Sequence, residues 1–308
     1  MTLACGYWLS YDRLVLSPGI ELRWGALEGY DEAAAEVMPH AWQAGPQTAL
    51  LRRQLEAMAD GGVVAIAVPE PPFRCPPGPY ERASLIAHYL KERKPRSKLL
   101  ILDANDTFSK QDLFTAGWQE LYPGLIEWVP RSQGGQVIRV DPEQMVLHTD
   151  FEALPVAVAN VIPPQRAAAI ARAAGMDEGR GWCPVDGRTF ESTVHPGVHL
   201  LGDAILAGAM PKSGFSANCQ AKACAVAIAA LLRDQPPPEP ALINTCYSLL
   251  APDYGISIAG VYQVADGEIV AIEKAGGVSP QDADRAFRAR EAQYANGWYA
   301  NITDDMFG

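Results

Sequence analysis

Six cysteines are the residues most able to carry redox or covalent chemistry, and they stand at 5, 75, 183, 219, 224 and 246. No two form a CxxC pair, and they are too sparse for a disulfide-built scaffold, so neither a zinc site nor a disulfide framework follows from their spacing. Cys219 and Cys224 read as small fillers on an Ala-rich helix, and Cys183 as a core residue beside Trp182. The five histidines show no ligand spacing apart from His195 and His199, which straddle a turn into a strand, so no metal ligand is assigned. Glu81 opens a helix six residues after Cys75, where the helix dipole by itself favours a carboxylate. Gly202-Asp203 ends an apolar strand, and Lys212-Ser213-Gly214 leads into a long helix whose first turn carries unsatisfied N–H groups.

These residues need elements to hold them. Leu14–Leu16 reads as a short buried strand that requires neighbours on both sides. Residues 47–60 place Leu50, Leu51, Leu55 and Met58 on one helical face, with Gly61-Gly62 as the stop. A continuous apolar strand at 63–68, a helix at about 80–93 and a strand at 98–103 then form a βαβ unit with parallel strands. In its first loop, where a dinucleotide binder carries GxGxxG, six prolines lie between Pro69 and Pro79. Proline has no N–H to offer a pyrophosphate and fixes its own φ, so this is a dinucleotide fold without a nicotinamide cofactor.

Further along, a helix is expected at 109–122, a hairpin over 136–140 and 145–149, a strand at 156–162, and a helix at 165–174 stopped by Gly175. A strand at 198–204, a helix to about Arg233 and a proline-rich linker at 236–240 follow. Short strands at 247–258 and 267–272 precede an aromatic-rich tail with little apolar face.

The chain has 308 residues, 48% hydrophobic and 20% charged, which suits a soluble multi-unit enzyme. Its net charge of −11 disfavours nucleic acid and suits a basic protein partner. No run of 18 apolar residues spans a bilayer, and the first residues show no signal peptide.

The runs YDRLVLSPGIEL, EGYDEAAAEVMPHAW, PFRCPPGPYERAS, GWCPVD, LLGDAI, MPKSGFSANCQ, INTCYSLLAPDYGIS and WYANITDDMFG occur in order over nearly the whole chain. Together they resemble the flavoprotein subunit of flavocytochrome c sulfide dehydrogenase, a glutathione-reductase-like flavoprotein. The resemblance implies an α/β fold of two interleaved dinucleotide-fold domains, the FAD domain incomplete, plus a small α+β C-terminal domain. The corresponding segments are 1–30 for a remnant of the FAD domain, 31–160 for the second dinucleotide-like domain, 161–236 for the FAD-domain return and 237–308 for the C-terminal domain.

It also implies FAD as cofactor, sulfide as substrate, a redox-active disulfide between Cys75 and Cys246, and a periplasmic c-type cytochrome as electron acceptor. Gly202 and Asp203 would meet the flavin's ribityl chain, and Lys212, Ser213 and Gly214 its pyrimidine edge. Glu81 would serve as base toward hydrogen sulfide, and Trp298 with Tyr299 would cover the flavin or the cytochrome interface, unless they pack only against other aromatics. The family's opening GxGxxG turn and the cysteine that links FAD covalently have no counterpart here, so weak FAD binding or none is expected. A sulfide:quinone reductase-like enzyme and an inactive cytochrome-binding remnant are the competing readings.

Overall fold

A computed structural model describes residues 5–308. By packing, the described residues fall into two compact units: residues 5–21, 166–246 and 258–277 make the first, and residues 22–165, 247–257 and 278–308 the second. The segment from 237 onward, expected from the sequence as a domain of its own, is shared between the two.

In chain order, β1 (Leu14–Leu16) and β2 (Ile20–Leu22) are followed by α1 (Glu32–Ala35) and α2 (Pro46–Ala57). A parallel βαβ succession comes next, with β3 (Val63–Val68), α3 (Gly78–Arg93), β4 (Lys98–Asp103), α4 (Gln111–Leu121) and β5 (Ile126–Val129). An antiparallel meander, β6 (Val137–Asp141), β7 (Val146–Thr149) and β8 (Ala153–Pro155), leads to β9 (Val158–Val161). The sheet of the second unit has the order β5-β4-β3-β9 and every pairing in it is parallel. Its inner strands are apolar through their middles because both faces of the sheet are covered, one by helices and the other by α1 together with the antiparallel meander. One layer holds Val64, Ile66, Ile86, Leu90 and Phe114, and the other Ala65, Ala67, Leu102, Tyr30 and Met38.

The first unit contains β10 (Gln165–Ala167) for most of its length, α5 (Ala169–Ala173), β11 (Val198–Leu200) and α6 (Gly214–Leu231). Leu14–Leu16, expected as a buried strand with neighbours on both sides, forms a two-stranded sheet with β11, in parallel from Leu14 with Val198 to Leu16 with Leu200, and Val15 is exposed. Residues 165–174, expected as one helix, are instead a strand that pairs with β2 followed by a five-residue helix. The strand is favoured because Glu21 of β2 accepts from Arg166 at 2.7 Å and from Arg172 at 2.7 and 2.8 Å, which ties both arginines to one carboxylate.

The remaining elements are β12 (Leu242–Ala251), β13 (Tyr254–Ala265), β14 (Glu268–Ala271), β15 (Gly277–Val278) and α7 (Arg285–Phe307). Where short strands were expected, β12 and β13 form a long hairpin, joined by two residues and so necessarily antiparallel. The tail, which showed little apolar face, is a 23-residue helix capped by Asp284, and it buries Arg288, Glu291, Ala292 and Ala295. Among the described residues no helix is long and apolar enough to cross a membrane.

Candidate functional site

In the second unit, the proline loop delivers Cys75 in left-handed backbone, φ +57, three residues before α3 begins. Its carbonyl accepts from the Gly78 amide at 2.8 Å, which turns the chain into the helix. A Cβ on Gly78 would stand 2.8 Å from the Trp42 ring and 3.0 Å from Cys75 Sγ, so a glycine is what lets the thiol and the indole lie against the helix start. The segment 39–42 that carries Trp42 is held from two elements. Asn160 of β9 donates to the carbonyls of Pro39 and His40 at 2.8 and 2.7 Å, and Arg82 of α3 donates to the carbonyls of His40 and Ala41 at 3.1 and 2.6 Å. The Arg82 guanidinium also lies 5.0 Å from the centre of the Trp42 ring.

Glu81 projects from the first turn of α3, and Ser248 Oγ of β12 donates to its Oε1 at 2.5 Å. Lys110 Nζ donates in turn to Ser248 Oγ at 2.5 Å. Burial pushes the Glu81 carboxyl up, against the opposing pull of Lys110, the Ser248 hydroxyl and Arg82. Neither Lys110 nor Ser248 was singled out in the sequence, where each is an ordinary polar residue far from Glu81. Trp298 is half-buried on α7 with its ring 6.4 Å from that of Tyr247, and Tyr299 is exposed.

The same unit carries the crevice at the carboxyl ends of the strands where α/β folds bind ligands. It is small, about 280 Å³, and lined by Val68, Pro69, Ala104, Val137 and Ile162 among others. Asp103 ends β4, where dinucleotide folds place the carboxylate that reads a ribose. Here it is 0% exposed: Oδ2 accepts from Tyr80 at 2.6 Å and from Trp128 at 2.9 Å, and Oδ1 from Asn105 at 2.7 and 3.0 Å.

In the first unit, β11 ends at Leu200 and Gly202 takes φ +74, with its amide donating to Gln220 Oε1 of α6 at 2.9 Å. A Cβ there would meet Ser17 Oγ at 3.1 Å and Ala217 Cβ at 3.6 Å, so strand end and helix close on a backbone that only glycine supplies without strain. Asp203 follows at once. Lys212 Nζ donates to the carbonyls of Asp203 and Ile205 at 2.8 and 2.7 Å and lies 3.8 Å from the centre of the Trp182 ring. Burial lowers this ammonium to about 8. Cys183 is buried as expected, and burial raises its thiol to about 11. Of the other two fillers, Cys224 is buried, whereas Cys219 is only partly so and its sulfur accepts from the Ile243 amide at 3.4 Å.

Ser213 caps α6 by accepting from the Ser216 amide at 3.0 Å, with Gly214 as the first helical residue. Its hydroxyl reaches Asn244 Oδ1 at 2.6 Å, and Asn244 Nδ2 donates to Cys246 Sγ at 3.3 Å. Asn244, which sequence reading missed, thus joins the helix cap to Cys246. The first unit thereby gathers Asp203 with Lys212 and Ser213 with Cys246, and in the second Cys75 stands just before α3 and Glu81 in its first turn. A glycine-tight strand end, a carboxylate beside it and the start of an 18-residue helix fit the requirements of a dinucleotide cofactor such as FAD.

Comparison with known proteins gives two family matches and a set of similar folds. Residues 48–163 match sulfide dehydrogenase (flavocytochrome c) flavoprotein chain, central, and residues 238–307 match flavocytochrome c sulphide dehydrogenase, flavin-binding. Among solved structures, a chain of the Tetrahymena thermophila mitochondrial ATP synthase assembly superposes with a TM-score of 0.67 at 14% identity, over 98% of this chain and 75% of that one. An FAD-dependent pyridine nucleotide-disulphide oxidoreductase from Desulfovibrio vulgaris gives 0.50 at 18% identity, over 84% of this chain and 62% of that one. A NAD-dependent persulfide reductase from A. fulgidus gives 0.52 at 13% identity, over 93% and 58%. At these identities the likeness is one of fold, and the chain spans about six tenths of the length of the last two.

Proposed function

The chain belongs to the flavocytochrome c sulfide dehydrogenase flavoprotein family and is an FAD-dependent oxidoreductase, and from that premise we propose that it oxidises sulfide at a Cys75–Cys246 disulfide. The observation that carries the reading is the arrangement around Cys75, with a half-buried cysteine just before α3 and a half-buried glutamate, Glu81, in the helix's first turn, its carboxyl accepting from Ser248.

Hydrogen sulfide gives its proton to the Glu81 carboxylate and becomes hydrosulfide. Hydrosulfide attacks one sulfur of the disulfide, a new S–S bond forms as the old one breaks, and the products are a persulfide on one cysteine and a thiolate on the other. A second hydrosulfide takes the outer persulfide sulfur as disulfane and leaves a second thiolate. Re-forming the disulfide releases two electrons, which is the number FAD accepts when bound and can pass on singly to a c-type haem. Gly202 and Asp203 would hold the cofactor's ribityl chain, Lys212, Ser213 and Gly214 its pyrimidine edge, and Trp298 would cover it.

The proline loop, the small crevice and the saturated Asp103 support an acceptor other than a nicotinamide. One observation favours a second reading, delivery to a quinone: Tyr299, Met306 and Phe307 are exposed along the last turns of α7.

The cysteine assignment is tested by non-reducing digestion and mass spectrometry of the FAD-loaded protein, together with Cys75→Ser and Cys246→Ser. A linked peptide carrying both cysteines is expected, and each variant should lose sulfide oxidation by about 100-fold or more while keeping its FAD. Recovery of both cysteines unlinked from air-oxidised protein, or full activity in either variant, would remove the proposal.

A further inference from the structure

Lys110 is 8% exposed and Ser248 1%, and the reaction as written so far uses neither. Lys110 stands immediately before α4 in left-handed backbone, φ +62, with its ammonium 5.8 Å from the Phe114 ring centre. A lysine is rarely this deep unless it has a charge to answer. Here the charge is reached through one hydroxyl, Lys110 Nζ to Ser248 Oγ at 2.5 Å and Ser248 Oγ to Glu81 Oε1 at 2.5 Å.

An ammonium has only protons to give, and a serine hydroxyl has one proton. Ser248 must therefore accept from Lys110, and its own proton must point at Glu81. The chain runs in one direction and ends on a carboxylate oxygen. We propose that Lys110 and Ser248 are positioning residues that hold Glu81 oriented and ionised as the proton acceptor for hydrogen sulfide.

This rests on the reading of Glu81 as the base, and it supplies what that reading lacks. Burial by itself favours the protonated carboxyl, which has no capacity to take a proton from the substrate. The charged or polar groups that oppose burial at Glu81 are Lys110 from the turn before α4, Ser248 from β12 and Arg82 from α3 itself. Arg82 is committed to the carbonyls of His40 and Ala41 and to Asn160, and the carboxylate of Asp103 to Tyr80, Trp128 and Asn105. The Lys110–Ser248 chain ends on Glu81 itself by hydrogen bond.

The test uses the FAD-loaded full chain in four forms: Lys110→Met, Ser248→Ala, Lys110→Arg and Ser248→Thr. Infrared titration follows the C=O stretch of the protonated Glu81 carboxyl, assigned by its loss in Glu81→Gln, and the pH profile of sulfide oxidation is measured beside it. Lys110→Met and Ser248→Ala should move the infrared midpoint and the acid limb of the profile upward by about one pH unit or more, a tenfold change in the ionised fraction on the acid side. Lys110→Arg and Ser248→Thr should restore most of it. Ser248→Ala removes one oxygen from a strand residue and keeps the test decisive should Lys110→Met fail to fold. Midpoints within about 0.3 unit of the parent in the folded variants would overturn the inference. If Glu81→Gln oxidises sulfide at the parent rate, it is the reading of Glu81 as base that falls; if Glu81→Gln is inactive and the other variants leave midpoint and profile unmoved, only the positioning role falls.

Discussion

His40 shows how a single buried residue ties the candidate site to pH. It is 4% exposed, its Nδ1 accepts from the Trp42 amide at 2.9 Å, and its carbonyl is the one gripped by Asn160 and Arg82. Burial, and then the charges of Arg82 and Arg74, hold the ring neutral and lower it from its ordinary 6.5 to about 4. The unfolded chain therefore takes up this proton more readily than the folded one. The contribution of neutral His40 is intact above pH 6.5, declines as pH falls, and is gone once pH has passed through about 4. Urea unfolding should lose on the order of 2–4 kcal/mol across that window from this residue. His40→Asn, whose amide oxygen can still accept from Trp42, should flatten the loss, and a variant with the parental slope would show that other groups carry it. The residues to which the resemblance gives a role were easy to name; Asn244 and Ser248 lie in the same run as Cys246, INTCYSLLAPDYGIS, but the run gives them no role. Lys110, Ser248 and Asn244 were not easy to name, because their partners lie 138, 167 and 31 residues away, and no local pattern records a hydrogen bond over such distances.

At the level of elements, what was legible follows from how completely each one is buried. Val63–Val68 and Lys98–Asp103 are observed where the sequence puts them, because a strand covered on both faces carries a continuous apolar run, VVAIAV in the one and LLIL in the other. The helix after the proline loop begins at Gly78, two residues earlier than expected, since prolines suit the position ahead of a first turn. The β12–β13 hairpin was read as shorter pieces because inward positions such as Asn244 and Ser248 are polar and interrupt the alternation. Helix α7 escaped notice because the side chains it buries include an arginine and a glutamate, so an apolar period of 3.6 is absent. Its docking nevertheless has one tight point: a Cβ on Gly255 of β13 would stand 2.5 Å from the Ala292 amide nitrogen and 2.6 Å from the Glu291 carbonyl carbon. Backbone cannot yield as a side chain tip does, so Gly255→Ala should cost about 3 kcal/mol or more in urea unfolding and expose α7 to proteolysis. A loss under about 1 kcal/mol would mean the helix shifts freely on the strand. For the proline loop the expectation concerns ligand. With six prolines from Pro69 to Pro79 and Asp103 saturated, NADH should reduce the FAD-loaded protein no faster than in a blank, and saturable reduction at submillimolar NADH would contradict it.

The whole molecule carries 36 acidic against 25 basic side chains, a net charge of −11 that no single site requires. Charge of that size acts beyond contact distance. It raises the encounter rate with a positively charged partner and lowers it with a negative one, and the effect weakens as salt shortens the Debye length from about 30 Å at 0.01 M to about 8 Å at 0.15 M. The proposed acceptor is a c-type haem protein, and these figures ask that its docking face be basic. In stopped-flow mixing of the sulfide-reduced protein with a basic c-type cytochrome, the second-order rate constant should therefore fall by about tenfold or more between those two salt concentrations. An acidic cytochrome of similar potential should show the opposite trend. A quinone is neutral, so its reduction should hardly respond to salt, and this separates the two acceptors that the site chemistry alone leaves alike. Rapid, salt-insensitive reduction of a soluble quinone, with slow and salt-insensitive reduction of every cytochrome tried, would transfer the role of acceptor from haem to quinone and give the exposed aromatic end of α7 its use. Fast cytochrome reduction without any dependence on salt would keep haem as the acceptor and show that the net charge serves something other than steering.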